Sequence, residues 1–226
     1  MTTNFPYRAA KAACGFIATA FLSLSANAAF VSYADRASWA AAAGTVVTDD
    51  FEGIAVDSGF VFLGAGVVSH VSANGVTYAN DTATNAGSSM FIIGRDFYYT
   101  GDSVLSVQTG VPTDSQGIDI TIPVLTNSIA FDFCGFDVGT MTVNLGNGTS
   151  FSPIAIGAYP SIGFFGIVGG APSDFFSTVN IVASPQGVLN LDDFAFARPL
   201  PGLPVAPTVL LLGLGAIGFW GSRRNR

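Results

Sequence analysis

The chain has 226 residues, 50% of them hydrophobic and only 10% charged, with 27 glycines and 20 phenylalanines. The formal net charge of −7 hides an uneven layout: between positions 29 and 198 only Arg36, Arg95 and Arg198 face all 15 acidic residues. That balance gives no basic footing for nucleic acid. The scarcity of Glu and Lys disfavours a helical bundle, and abundant Gly and Phe suit short strands joined by tight turns.

The N-terminus has the layout of a secretory signal. Arg8 and Lys11 form a positive lead, Ala12–Leu24 an apolar core, and Ala26-Asn27-Ala28 a small-residue cleavage site before Ala29. Residues 1–28 are therefore expected to be a signal peptide. Cys14 lies inside it, with Lys11 where a lipoprotein signal wants an apolar residue. Beyond position 28 only Cys134 remains, so no intramolecular disulfide is available. Cys134 sits in the alternating run Ser128–Phe136 and reads as a small buried hydrophobe.

Residues 29–198 read as one all-β domain. Ser32–Gly44 is the one convincing helix: Asp35 or Ser32 caps it, Ala37–Ala43 favours it, Gly44 ends it, and Trp39 gives it an anchor on the sheet. Thr45–Thr48 then leads as a strand into Asp49-Asp50-Phe51-Glu52-Gly53. Further strands are expected at Val67–Val71 and Val76–Tyr78 around Asn74-Gly75, at Ser89–Ile93 and at Val104–Val107. Ile118, Ile120 and Ile122 alternate with polar residues up to Pro123, and Ile129, Phe131 and Phe133 repeat the pattern. Met141, Val143 and Leu145 precede the turn Asn147-Gly148, which returns the chain into Phe151. Phe164–Val168, Val179–Val182 and Val188–Phe196 complete roughly ten strands, enough for two packed antiparallel sheets.

The residues leave little room for catalysis. His70 is the only histidine, in a strand among valines, and no Gly-x-Ser-x-Gly turn accompanies it. The pairs Asp49/Asp50 and Asp192/Asp193 are the carboxylates a glycoside-acting enzyme would use, but the sequence favours a non-catalytic protein. Sugar binding asks for exposed aromatic rings, and Tyr98, Tyr99 and Tyr159 are the candidates, each joining a flat apolar face to a hydroxyl. Asp193 poses a separate question. In a regular strand it shares a face with Leu189 and Leu191, and an inward aspartate needs a cation, hydrogen bonds or a bulge that turns it out.

The last 28 residues, 199–226, are built in three parts. Pro199-Leu200-Pro201-Gly202-Leu203-Pro204 comes first, an uncharged apolar run from Val205 to Gly221 follows, and Arg223-Arg224-Asn225-Arg226 ends the chain. The run is apolar all round, as a helix in lipid would be. The arginines belong on the cytoplasmic side. This tail resembles the C-terminal sorting signals of the PEP-CTERM family, in the Pro-Leu-Pro variant. Pro199, Leu200, Pro201, Arg223, Arg224 and Arg226 carry the likeness, while Arg198 and Gly202 stand where that variant has Val and Ala. The resemblance implies a transient transmembrane helix, recognition and cleavage by an exosortase, and a final place in the cell envelope or extracellular matrix.

Several phrases within residues 29–198 are similar to jelly-roll sandwiches carried by such proteins, and distantly to carbohydrate-binding jelly rolls: Arg36–Trp39, Asp50–Gly53, Thr121–Val124 with Ser128–Phe133, and Leu191–Phe194. That likeness implies a jelly-roll-like β-sandwich and one structural calcium ion held by Asp50 or Glu52 from an early strand and Asp193 from the last, oxygen ligands of the hard kind calcium prefers. The expected function is non-catalytic association with exopolysaccharide. The alternatives are an adhesive matrix protein without a defined ligand site and, less favoured, a secreted glycoside-acting enzyme.

Overall fold

A computed structural model describes residues 30–52, 54, 59–65, 68–81, 88–94, 103–108, 115–135, 137–158, 160–184 and 188–198. The expected signal peptide and sorting tail lie outside these residues. The elements in chain order are β1 (Val31–Tyr33), α1 (Arg36–Ala43), β2 (Val46–Asp49), β3 (Phe60–Ala65), β4 (Ser69–Val71), β5 (Thr77–Asn80), β6 (Ser89–Ile93) and β7 (Val104–Gln108). They continue with β8 (Gln116–Thr126), β9 (Ser128–Gly135), β10 (Gly139–Leu145), β11 (Ser150–Ile156), β12 (Gly163–Val168), a 3-10 turn at Pro172–Asp174, β13 (Phe176–Ser184) and β14 (Val188–Ala197).

Two antiparallel sheets face each other, as the alternating pattern requires. The larger has eight strands in the order β1-β12-β9-β14-β7-β6-β3, with β2 also paired to β14; the smaller has six, β11-β10-β13-β8-β5-β4. Ile118, Ile120, Met141, Val143, Val179 and Ile181 of the smaller sheet meet Met90, Ile92, Leu105, Phe131, Leu189 and Phe194 of the larger in one apolar core. Burial of such side chains contributes about 1.5–3 kcal/mol each, the main favourable term of the fold.

Buried polar links cross between the sheets, and the one at Asp49 carries a charge. The Asp49 carboxylate of β2 is buried and accepts the Tyr78 hydroxyl of β5 at 2.8 Å and the Asn74 amide at 2.6 Å. Burial, followed by the charge of Asp49, pushes the Tyr78 phenol well above its ordinary pKa.

The helix is shorter than the sequence suggests. Ser32 lies in β1 rather than in a cap, and Asp35 alone caps α1, its carboxylate accepting the Ser38 N–H at 2.8 Å. Trp39 is 1% exposed and donates its indole N–H to the Ile167 carbonyl at 3.0 Å. Around it pack Ala130, Ala195, Phe164 and Val168 on the outer face of the larger sheet. Strand β8 runs through Pro123, where it was expected to stop. The proline falls where the ladder to β13 shifts register, between the pairs Thr178↔Thr121 and Phe176↔Thr126, so its missing N–H breaks no regular bond. Strands β1 and β3 were not expected.

Candidate functional site

The last strand answers the question raised by Asp193. β14 pairs with β9 along one side, and along the other with β7 up to Leu191↔Leu105 and with β2 from Phe194↔Asp49. Between those partners the register slips at Asp192–Ala195, and Asp193 takes a positive φ of 48°. The bulge lets Leu189, Leu191, Phe194 and Phe196 all enter the core while both aspartates stay at the surface.

A bulged Asp193 meets a protein cation. Its carboxylate lies 3.8 Å from Nε of Arg36, too far for a hydrogen bond, while Nη2 of the same guanidinium donates to Asp132 at 2.9 Å. The guanidinium also stands 5.5 Å from the centre of the Phe164 ring. The other two expected calcium ligands have partners too. Asp50 accepts the Glu52 N–H at 3.2 Å, and Glu52 accepts the Ser103 N–H at 2.6 Å, joining the exit of β2 to the start of β7. Among the described residues no three His, Cys, Asp or Glu side chains gather as a metal group. Tyr98 and Tyr99, Tyr159, and the sorting residues Pro199, Leu200, Pro201, Arg223, Arg224 and Arg226 lie outside the described residues.

His70 and Cys134 occupy structural positions. His70 Nε2 is buried without a hydrogen-bond partner, and desolvation lowers the imidazole pKa against the opposing pull of Asp49. Cys134 is 1% exposed, takes a weak contact from the Asn190 amide at 3.6 Å, and has its thiol pushed up to about 11 by burial. A thiol held protonated is a poor nucleophile.

A concave site does occur, at the open edge of the sandwich. There β1 and β12 of the larger sheet face β11 of the smaller across a cleft of about 470 Å³. Its lining is Ser32, Tyr33, Ser150, Phe151, Ser152, Pro153, Ile154, Phe164, Phe165 and Gly166. Three aromatic rings there, Tyr33, Phe151 and Phe164, are only half buried. Two of the serine hydroxyls are tied to β10 on the outer face of the smaller sheet. Thr142 donates to Ser152 at 2.9 Å, and Ser150 donates to Asn144 at 2.8 Å. Gly166 is required here, because a Cβ would sit 2.7 Å from atoms of the Phe164 ring and 3.2 Å from Trp39. Sequence reasoning missed the cleft. Tyr33 was assigned to the helix and Phe164 to an ordinary strand face, and no spacing in the chain brings β1 beside β11.

No family model and no curated protein matches the chain. Among solved structures it is similar to TmCBM61, determined in complex with beta-1,4-galactotriose (9% identity, 54% of this chain and 88% of that one, TM-score 0.37). It is also similar to a family 29 carbohydrate-binding module from Piromyces equi (9% identity, 62% and 91% coverage, TM-score 0.35). A third is the K2 cleaved adhesin domain of Lys-gingipain (10% identity, 68% and 100% coverage, TM-score 0.37).

Proposed function

We propose that this domain binds a polysaccharide chain, without catalysis, in the edge cleft, and that it does so as an exported envelope or matrix protein. One observation carries the reading: the half-buried rings of Tyr33 and Phe164 line one open cleft together with the small polar residues Ser32, Ser150 and Ser152. Sugars present apolar C–H faces and polar rims, and a site for them combines flat rings with a few fixed hydroxyls. The rigidity comes from strands, so little ordering cost falls on binding. An array of oligosaccharides probed with the purified protein tests this. Phe164→Ala should weaken the best binder about tenfold, the loss of about 1.4 kcal/mol expected for one stacking ring. Equal binding by parent and variant would place the ligand elsewhere.

Export rests on the sequence of the two ends. The signal-like residues 1–28 and the Pro-Leu-Pro, apolar and arginine-rich parts of residues 199–226 support translocation, a temporary membrane anchor and cleavage by an exosortase-type protease.

A matrix role without a pocket has its own supporting observation. Phe60 and Phe62 on the sheet-edge strand β3 are 57% and 56% exposed and both rings contact Phe91. An uncharged edge of this kind invites contact with other chains. If that contact rather than the cleft is the function, Phe62→Ser should abolish association while leaving oligosaccharide binding undetectable in both proteins.

A further inference from the structure

We infer that the cleft selects uncharged glycans and turns away anionic ones, and that Asp132 and Asp193 enforce this by neutralising Arg36. The inference rests on the cleft reading above and adds the ligand's charge class.

The cleft's polar groups are hydroxyls and backbone, and no side chain lining it is a cation or a carboxylate. A uronate or sulfated chain would need a positive partner there. Among the described residues, the guanidinium that lies against a ring lining the cleft is that of Arg36, on Phe164. It is committed on two sides, to Asp132 at 2.9 Å and towards Asp193 at 3.8 Å. Two carboxylates around one guanidinium leave a local excess of negative charge. The surrounding field has the same sign, since residues 29–198 contain three arginines against 15 acids. An anionic ligand therefore meets repulsion at long range and no counter-charge at contact. A neutral ligand escapes both costs and keeps the rings and hydroxyls.

The geometry also says how the selection can be relaxed. Asp193 occupies left-handed backbone, at φ 48°, a conformation Asn adopts readily. Asp132→Asn/Asp193→Asn should thus preserve shape while removing both carboxylates paired with Arg36 beside Phe164.

The test measures binding of the full chain in detergent to two matched pairs of probes. These are mannohexaose with hexamannuronate, and cellohexaose with hexaglucuronate. Low and high salt are compared, about 20 and 500 mM, where screening lengths differ several-fold. In the parent, the better neutral hexamer should bind at least about tenfold more tightly than its uronate at low salt, with the gap narrowing at high salt. In the double variant the gap should shrink at low salt because the uronate gains, while the neutral hexamer stays within about twofold. Asp132→Asn alone should show the same direction should the double variant misfold. A parent that binds a uronate as well as its neutral partner overturns the inference but leaves the cleft reading standing. If no probe binds at all, the cleft reading itself fails and this inference falls with it.

Discussion

At Asp193 the backbone and the charge make separable demands. The bulge holds this residue at a positive φ, where an ordinary L-residue costs about 1–2 kcal/mol and Asn or Asp much less. Asp193→Ala should therefore lower unfolding stability by about 1–2 kcal/mol, and Asp193→Asn by less than about 0.5 kcal/mol, read from urea titration. An Asn variant as damaged as the Ala one would show that the carboxylate charge, not the turn, holds the last strand in place. His70 gives a second residue-scale test. Its folded pKa lies below the ordinary histidine value because burial disfavours the imidazolium. The neutral form is the one the fold accepts, so its contribution is present above about pH 6.5, the unfolded value, and is lost as pH falls through the folded pKa. Stability should decline as pH falls below about 6.5 in the parent, and His70→Gln should flatten that part of the profile. An unchanged slope in the variant would assign the decline to other groups.

Among the elements, β2 and β5 illustrate how the two sheets are fixed to each other. The buried Asp49 carboxylate takes two hydrogen bonds across that gap. Tyr78→Phe keeps the ring, which packs edge-on against Phe51 and Phe194, and removes only the hydroxyl. It should cost about 1–3 kcal/mol, the penalty for leaving a buried acceptor short of a donor. A loss below about 0.5 kcal/mol would mean that water replaces the phenol without cost. The strands that alternate apolar and polar residues, such as Ile118–Ile122, Ile129–Phe133 and Met141–Leu145, were legible in the sequence because one face must enter the core. Strand β3, Phe60-Val61-Phe62-Leu63, shows no alternation, since its outer face also carries large rings, and periodicity passes over it. β1 was hidden for another reason: Ser32 has the chemistry of a helix cap, and a three-residue strand leaves no period to read. The Asp192–Asp193 slip was foreseeable only as one of three ways to settle an inward-facing aspartate. The pairing with β7 and β2 on one edge, which decides among them, is tertiary information.

For the molecule as a whole, the site depends on how the sheets end. β11 closes the smaller sheet and β1 the larger, and the cleft is the space their free edges leave. Residues 32–33, 150–154 and 164–166 become neighbours only after both sheets have formed, which is why no local signal announced them. Gly166→Ala should test that dependence. The added Cβ would press on the Phe164 ring and Trp39, costing about 1–3 kcal/mol as overpacking and weakening ligand binding together with stability. The chain's ends make a further whole-molecule prediction under the proposed sorting route. Protein taken from the native envelope should begin at Ala29 and end near residues 199–202 by intact mass, and a product still carrying Arg226 would indicate a permanent anchor instead.

The central claim is that a glycan occupies the cleft between β11 and the β1–β12 edge. Backbone NMR of the protein during titration with the best-binding neutral oligosaccharide tests it most directly. Saturable shifts are expected for the amides of Ser32, Tyr33, Ser150–Ser152, Ile154 and Phe164–Gly166, with those of Phe60–Leu63 unmoved. Shifts confined to Phe60–Leu63 and Phe91, with the cleft amides silent at saturation, would contradict it.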